Sequence, residues 1–154
     1  MPQRSKPRPP RIAVRAVILQ GDRLLLVNAW PQGKSDLLCA PGGGVDPHSS
    51  LHDNLIREVY EETGLTVEVG AVCLVNEFHD PTRDFHQVDV YFRCSITAGE
   101  VTDDWEDPEK IVTERQWVTR AQMKSLRIKP DSLEQVAFDP ETGITYDPLE
   151  PLVV

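Results

Sequence analysis

From Ser50 to Thr63 the apolar residues Leu51, Leu55 and Val59 recur one helical turn apart, and Gly64 follows at once. No other segment of this 154-residue chain constrains its fold as sharply. The spacing predicts an amphipathic helix. Ser50 and Asp53 form a start signal of the capping-box kind, with Asp where Glu is usual. Gly64 is a natural helix stop. With Leu55 set at zero and about 100° per residue, Leu51, Val59 and Ile56 fall near −40°, +40° and +100°. By the same count Glu62 falls near −20°, Glu58 near −60° and Glu61 near −120°. The three carboxylates therefore form one arc, and Glu62 lies inside the apolar stripe.

The elements around this helix are mostly strands. Ile12 to Leu19 and Leu24 to Ala29 read as a hairpin about the turn Gln20-Gly21-Asp22. Leu37 to Ala40 is a short apolar run that ends at Pro41-Gly42-Gly43-Gly44. Thr66 to Phe78 is strand-like. In Phe85 to Ile96 the residues His86, Val88, Val90, Phe92, Cys94 and Ile96 share one face. After an acidic, irregular stretch from Ala98 to Glu109, Ile111 to Val118 reads as a last strand. Thr119 with Gln122 caps a short helix to about Leu126. Asp131 with Glu134 starts another, ending before Pro140. The order lacks the regular alternation of a doubly wound parallel sheet. It predicts an α+β protein, a mixed β-sheet flanked by helices. Residues 1–10 are expected to be a disordered, basic, proline-rich tail, 11–140 the folded domain, and 141–154 a loosely held C-terminal tail without periodicity.

The carboxylate arc is costly. Like charges one turn apart disfavour a helix by about 0.2–0.5 kcal/mol per pair. Partial burial raises that cost, and the nearby helix C-terminus is already negative. A divalent cation would relieve all three terms, and carboxylate oxygens suit Mg²⁺ or Mn²⁺. Taken alone, the cluster is equally well read as a solvated acidic face, with Arg57 offsetting Glu61. The preceding glycines favour the cation, because they let backbone amides and carbonyls approach a ligand closely.

Net charge and cysteine content exclude other classes. A formal charge of −9 disfavours a long nucleic-acid backbone as partner. It does not exclude a small phosphate ligand that reaches the protein through a metal ion. The three cysteines, Cys39, Cys73 and Cys94, are widely spaced and include no CxxC pair, so they read as core residues. No apolar run is long enough to cross a bilayer. The N-terminal segment lacks the apolar stretch of a secretory signal, so a cytoplasmic location is expected.

Pro41-Gly42-Gly43-Gly44-Val45-Asp46-Pro47, followed by Arg57-Glu58-Val59-Tyr60-Glu61-Glu62-Thr63-Gly64-Leu65, resembles the Nudix signature. That pattern is a Gly, five residues, Glu, seven residues, then Arg-Glu-apolar-any-Glu-Glu-any-Gly-apolar. Gly43 supplies the first Gly, and the second half matches at the right spacing. The position of the first Glu holds Ser49. In the family that Glu supports the metal-binding carboxylates.

The resemblance implies an α/β/α sandwich and a magnesium- or manganese-dependent pyrophosphohydrolase. Its substrate would be a small nucleotide: a nucleoside triphosphate, a nucleotide sugar or ADP-ribose. Glu61 and Glu62 would be metal ligands, with the Gly42 carbonyl a further one. Glu58 would be a ligand or the base that activates water, and Arg57 would orient a glutamate. A later acidic residue, Glu109 by preference over Glu100, Glu106 or Glu114, is the other candidate base. The alternative is a Nudix-like nucleotide-binding or regulatory module that turns over weakly or not at all because of Ser49. An RNA-end hydrolase would draw on the basic N-terminal tail, against the overall charge. Homodimers are common among proteins of this kind. Trp30 and Phe78 could stack on a base, and His79 and His86 could line a pocket, though packing for the first pair and a turn between two strands for the second are the plainer accounts.

Overall fold

The computed structural model describes residues 6–31 and 33–154. Its elements are β1 (Arg11–Gln20), β2 (Arg23–Asn28), β3 (Leu38–Cys39), β4 (Gly42–Gly44), α1 (Leu51–Thr63), β5 (Thr66–Asp80), β6 (Phe85–Ala98), β7 (Arg115–Thr119), α2 (Arg120–Met123), α3 (Leu133–Phe138) and β8 (Thr145–Pro151). The strands lie in the order β3-β2-β1-β6-β5-β8, with β4 paired to β1 and β7 to β2. Strands β1 and β6 are parallel, as are β5 and β8, and the other pairs are antiparallel. The sheet is mixed, as the element order predicts.

Alternation along β1 and β2 feeds two cores, one on each face. Val14, Ala16, Ile18 and Leu25 meet Leu55 and Val59 of α1, together with Phe92 and Cys94. On the other face Val17, Leu24 and Leu26 meet Met123, Leu133, Val136 and Ala137. Helices on both faces of one sheet make the α/β/α sandwich. Full burial of Leu55 and Val59 contributes about 1.5–3 kcal/mol each, and this holds α1 to the sheet.

Strands β1 and β2 pair only at Leu19↔Leu24 and Gln20↔Arg23, next to their turn. Below that point they splay, and β4 takes the freed edge of β1 with Val14 opposite Gly43 and Arg15 opposite Gly42. Gly42 has φ +154, and a Cβ there would stand 1.9 Å from the Val14 carbonyl oxygen. Only glycine permits this approach, which sets the start of the loop before α1.

Three segments differ from the sequence expectation. Helix α3 starts at Leu133 after Ser132, and Asp131 pairs with Lys129 instead of capping it. The last strand begins at Arg115 rather than Ile111. The backbone ahead of it is held by side chains instead: Asp107 accepts from the Ile111 and Val112 N–H groups, and Asn28 from those of Thr113 and Glu114. The segment from 141 contains β8, which adds to β5 in parallel. Backbone hydrogen bonds make that pairing, and its half-exposed side chains show no strict alternation. Residues 1–5 of the expected tail lie outside the described residues. Lys6 to Pro10 is exposed and irregular, with the Arg8 backbone N–H donating to Asp84 at 2.9 Å. Among the described residues no helix is long and apolar enough to cross a membrane.

Candidate metal and active site

Helix α1 begins and ends as its sequence dictates. The Ser50 side chain accepts from the Asp53 N–H, and Gly64 closes the helix in the left-handed region at φ 78. Its last turns carry Glu58, Glu61 and Glu62. Glu58 and Glu62 are only 7% and 9% exposed, which rules out a freely solvated acidic face for them.

A later loop folds over this end of the helix. Trp105 Nε1 donates to the Glu61 carbonyl at 2.9 Å, and Arg115 Nε to the Glu62 carbonyl at 2.5 Å. These two donors satisfy carbonyls that a helix C-terminus leaves without partners. Asp107 also accepts from the Glu109 N–H. The loop is thereby set so that carboxylate oxygens of Glu58, Glu61 and Glu109 all lie within 4.8 Å of one another. Of the later acidic residues named from the sequence, Glu109 is the one that joins the α1 carboxylates. The trio offers hard oxygen donors of the kind Mg²⁺ or Mn²⁺ accepts.

Glu62 stands in a different setting. Its carboxylate accepts from the Gly42 N–H at 2.9 Å. Burial pushes its carboxyl up to about 8, against the opposing pull of Arg15 and that N–H. Burial also raises Glu58 above the ordinary carboxylate range, with Arg57 opposing. The Gly42 carbonyl is reached by Arg15 Nη1 at 3.5 Å. Arg15 also bonds the Ala40 carbonyl and Asp89. The sequence reading overlooked Arg15, which passes for an ordinary interruption of an apolar strand. One signal was available: a cation between Val14 and Ala16, in a strand with apolar residues on both faces, needs a buried acidic partner.

Arg57 points one Nη toward Glu58 and Glu61, at 3.4 Å from each. Glu58, Glu62 and Glu109 line a cleft with Gly42, Gly43 and Arg11. This cleft shares Arg15, Ala29, Trp30 and Cys39 with a second pocket walled by Phe78, Tyr91 and Leu152. Trp30 and Phe78 thus face a cavity together. His79 and His86 lie across the β5–β6 hairpin with ring centroids 6.0 Å apart. Neither lines the cleft or the pocket. Trp117 packs in the core beside α1, and all three cysteines are free.

A glycine-shaped loop, a helix with buried carboxylates and a capping loop on a mixed sheet define a class of α+β protein built around a cation-ready acidic site. The NUDIX domain profile matches residues 9–138, and the chain belongs to the Nudix family. Diphosphoinositol polyphosphate phosphohydrolase 2 of Mus musculus is 34% identical over 100 residues, covering 64% of this chain and 50% of that protein. Human diphosphoinositol polyphosphate phosphohydrolase 3-alpha is 34% identical over 98 residues, covering 62% and 54%. The chain thus spans about half the length of these curated relatives. Among solved structures, a NUDIX hydrolase from Nitrosomonas europaea aligns with TM-score 0.72 at 22% identity, over 90% of this chain and 93% of that one. An ADP-ribose pyrophosphatase from Streptococcus suis aligns with TM-score 0.63 at 24% identity, over 92% and 100%. A UDP-X diphosphatase aligns with TM-score 0.68 at 22% identity, over 95% and 70%. These likenesses establish the fold.

Proposed function

We propose that the chain hydrolyses a diphosphate linkage in a small nucleoside diphosphate-linked compound, using Mg²⁺ or Mn²⁺. The observation that carries this reading is the convergence of Glu58, Glu61 and Glu109 on one point beside a glycine-lined loop. Oxygens of Glu58 and Glu61 from that trio would hold the ion, with Glu62 and the Gly42 carbonyl, which stand apart from the trio, as the further ligands the family resemblance implies. When bound, the ion supplies charge neutralisation for the phosphoryl oxygens. Glu109, or Glu58 if it stays free of metal, accepts a proton from water. The water oxygen bonds to phosphorus while the bridging P–O bond breaks, and the leaving phosphate departs with the electron pair. Arg57 keeps Glu58 and Glu61 aligned.

Charge in the adjoining pocket favours a nucleotide over a multiply phosphorylated ring. Among the described residues, Arg15 there pairs with Asp89, and Lys129 with Asp131 and Glu150. Those cations are spent on the protein's own carboxylates. Arg11, at the cleft, bonds Gln87 and is the cation among the described lining residues that faces no carboxylate partner. One free guanidinium suits one diphosphate, whereas additional phosphates on a ring would meet paired charges. Trp30, Phe78 and Tyr91 offer flat apolar surface for an uncharged ring.

The test is a panel of nucleotide sugars, ADP-ribose, nucleoside triphosphates and a diphosphoinositol polyphosphate, with and without Mg²⁺, read by product mass. We expect metal-dependent release of a mononucleotide. Faster turnover of the inositol compound would overturn the substrate class. Binding without any turnover would support the non-catalytic alternative that Ser49 raises.

A further inference from the structure

Ser49 leaves the Nudix signature without one carboxylate, yet the Arg57 guanidinium meets four side chains. Its Nη2 donates to Asp46 Oδ2 at 3.1 Å and to Asn54 Oδ1 at 3.2 Å. Its Nη1 faces Glu61 and Glu58. One side of the guanidinium is thus an anchor, and the other grips the site. Asn54 is 1% exposed, and both ends of its amide are engaged. Its Oδ1 also accepts the Asp46 N–H at 2.9 Å, and its Nδ2 donates to the Ser50 carbonyl at 2.7 Å. Asn54 therefore ties three things together: the first turn of α1, the loop at Asp46, and Arg57. The chain returns from that loop to the helix through His48, a non-glycine residue at φ 67. This turn is one that the native contacts must hold in place.

We propose that Asp46 and Asn54 are positioning residues that hold Arg57, and through it Glu58 and Glu61, so that the array stands without a carboxylate at position 49. The inference rests on the hydrolase reading for its consequence in catalysis, but its geometry does not depend on the substrate. Asp46 reaches Arg57 from the loop side, eleven residues away in sequence. Asn54 reaches it from the preceding turn of the same helix. Two anchors on different elements fix a guanidinium in direction as well as in place, which a single flexible ion pair does not.

The experiment is a double-mutant cycle on the full chain with Asp46→Ala, Arg57→Ala and the double variant. The readouts are Mn²⁺ affinity by electron paramagnetic resonance without substrate, and kcat at saturating Mg²⁺. Asp46 is largely exposed, so its pair with Arg57 is modest, and Asp46→Ala should weaken Mn²⁺ binding about two- to fivefold. In the Arg57→Ala background the same change should have no effect, because its target is gone. Asn54→Ala should weaken Mn²⁺ more than Asp46→Ala, with melting curves confirming a folded chain. Equal effects of Asp46→Ala in both backgrounds, or none in either, would overturn the proposal while leaving an active enzyme's hydrolase reading intact. Mn²⁺ binding without turnover of any substrate would sink the hydrolase reading, and the cycle would still decide the positioning role. A native chain that binds no Mn²⁺ overturns both.

Discussion

Replacing Glu62 by glutamine should stabilise the metal-free protein at neutral pH, and the gain should grow as pH rises. Glu62 is buried between the α1 core and the Gly42 N–H, and its carboxyl is pushed from 4.5 up to about 8. Between those values the folded chain holds a proton that the unfolded chain has released. The stability from this group is therefore fully present below the unfolded value and is lost as pH rises toward the folded one. One proton gives a slope of just over 1 kcal/mol per pH unit. From pH 5.5 to 7.5 the native protein should lose roughly 3 kcal/mol from Glu62. At about 2–4 °C per kcal/mol for a chain of this size, that is a fall in Tm of roughly 6–12 °C. Glu58, also raised by burial, adds in the same direction. Glutamine keeps an oxygen for the Gly42 N–H and carries no charge at any pH, so its contribution is flat. The assay is thermal melting followed by circular dichroism in EDTA from pH 5.5 to 8.5, for both proteins. Equal pH slopes for the two would refute the reasoning, because a carboxylate that titrates normally contributes no slope in this window.

Three further perturbations separate chemistry from folding. Glu109→Gln should lower turnover at least about tenfold, since the exposed carboxylate is part of the oxygen cluster and not of the core, and Tm should stay within about 2 °C. Gly43→Ala would place a methyl 2.7–3.0 Å from the Glu58 carboxylate atoms. Steady-state kinetics should show at least a tenfold loss as Glu58 is displaced, with a smaller effect on melting. Asn28→Ala removes an acceptor for the Thr113 and Glu114 N–H groups and a donor to the Trp30 and Ile111 carbonyls. Urea unfolding should show a loss of about 2–4 kcal/mol, and turnover should fall as the loop carrying Glu109 loosens.

What the sequence revealed and what it hid follow from the range of the forces involved. Helix α1 was legible to its caps because Ser50, Asp53 and Gly64 act on their own neighbours in the chain. The faces of β6 were legible because a two-residue period survives any tertiary arrangement: Val90, Phe92, Cys94 and Ile96 all meet the α1 core. Strand β8 was hidden because parallel addition to β5 joins residues about seventy apart through backbone groups that every residue carries. The trimmed start of β7 was hidden for a related reason. Asn28 and Asp107 take the N–H groups of residues 111–114, and no local pattern announces a side chain that competes with a strand ladder. Glu109 could be named among several acidic residues, but only Asp107, Trp105 and Arg115 single it out, by pinning its loop to the end of α1.

The burial of Glu58 and Glu62 sets the terms for any account of this site. Exposed acidic residues need no explanation, but two carboxylates under 10% exposed at a helix C-terminus do. The chain supplies partial answers: Arg57 beside Glu58, Arg15 and the Gly42 N–H near Glu62, and retention of a proton by Glu62 up to about 8. Those answers leave the Glu58–Glu61–Glu109 cluster with Arg57 as its close cation, and Arg57 is shared with Asp46. A divalent ion would offset the remaining repulsion and draw the proton from Glu62, so its affinity should rise with pH as that proton is released. The same carboxylates that make the metal-free fold less stable above neutrality would then make the metal-loaded one more so. A Tm that rises on adding Mg²⁺ by more at pH 8 than at pH 6 is the expected signature. An ion effect independent of pH would mean that Glu62 takes no part in holding it.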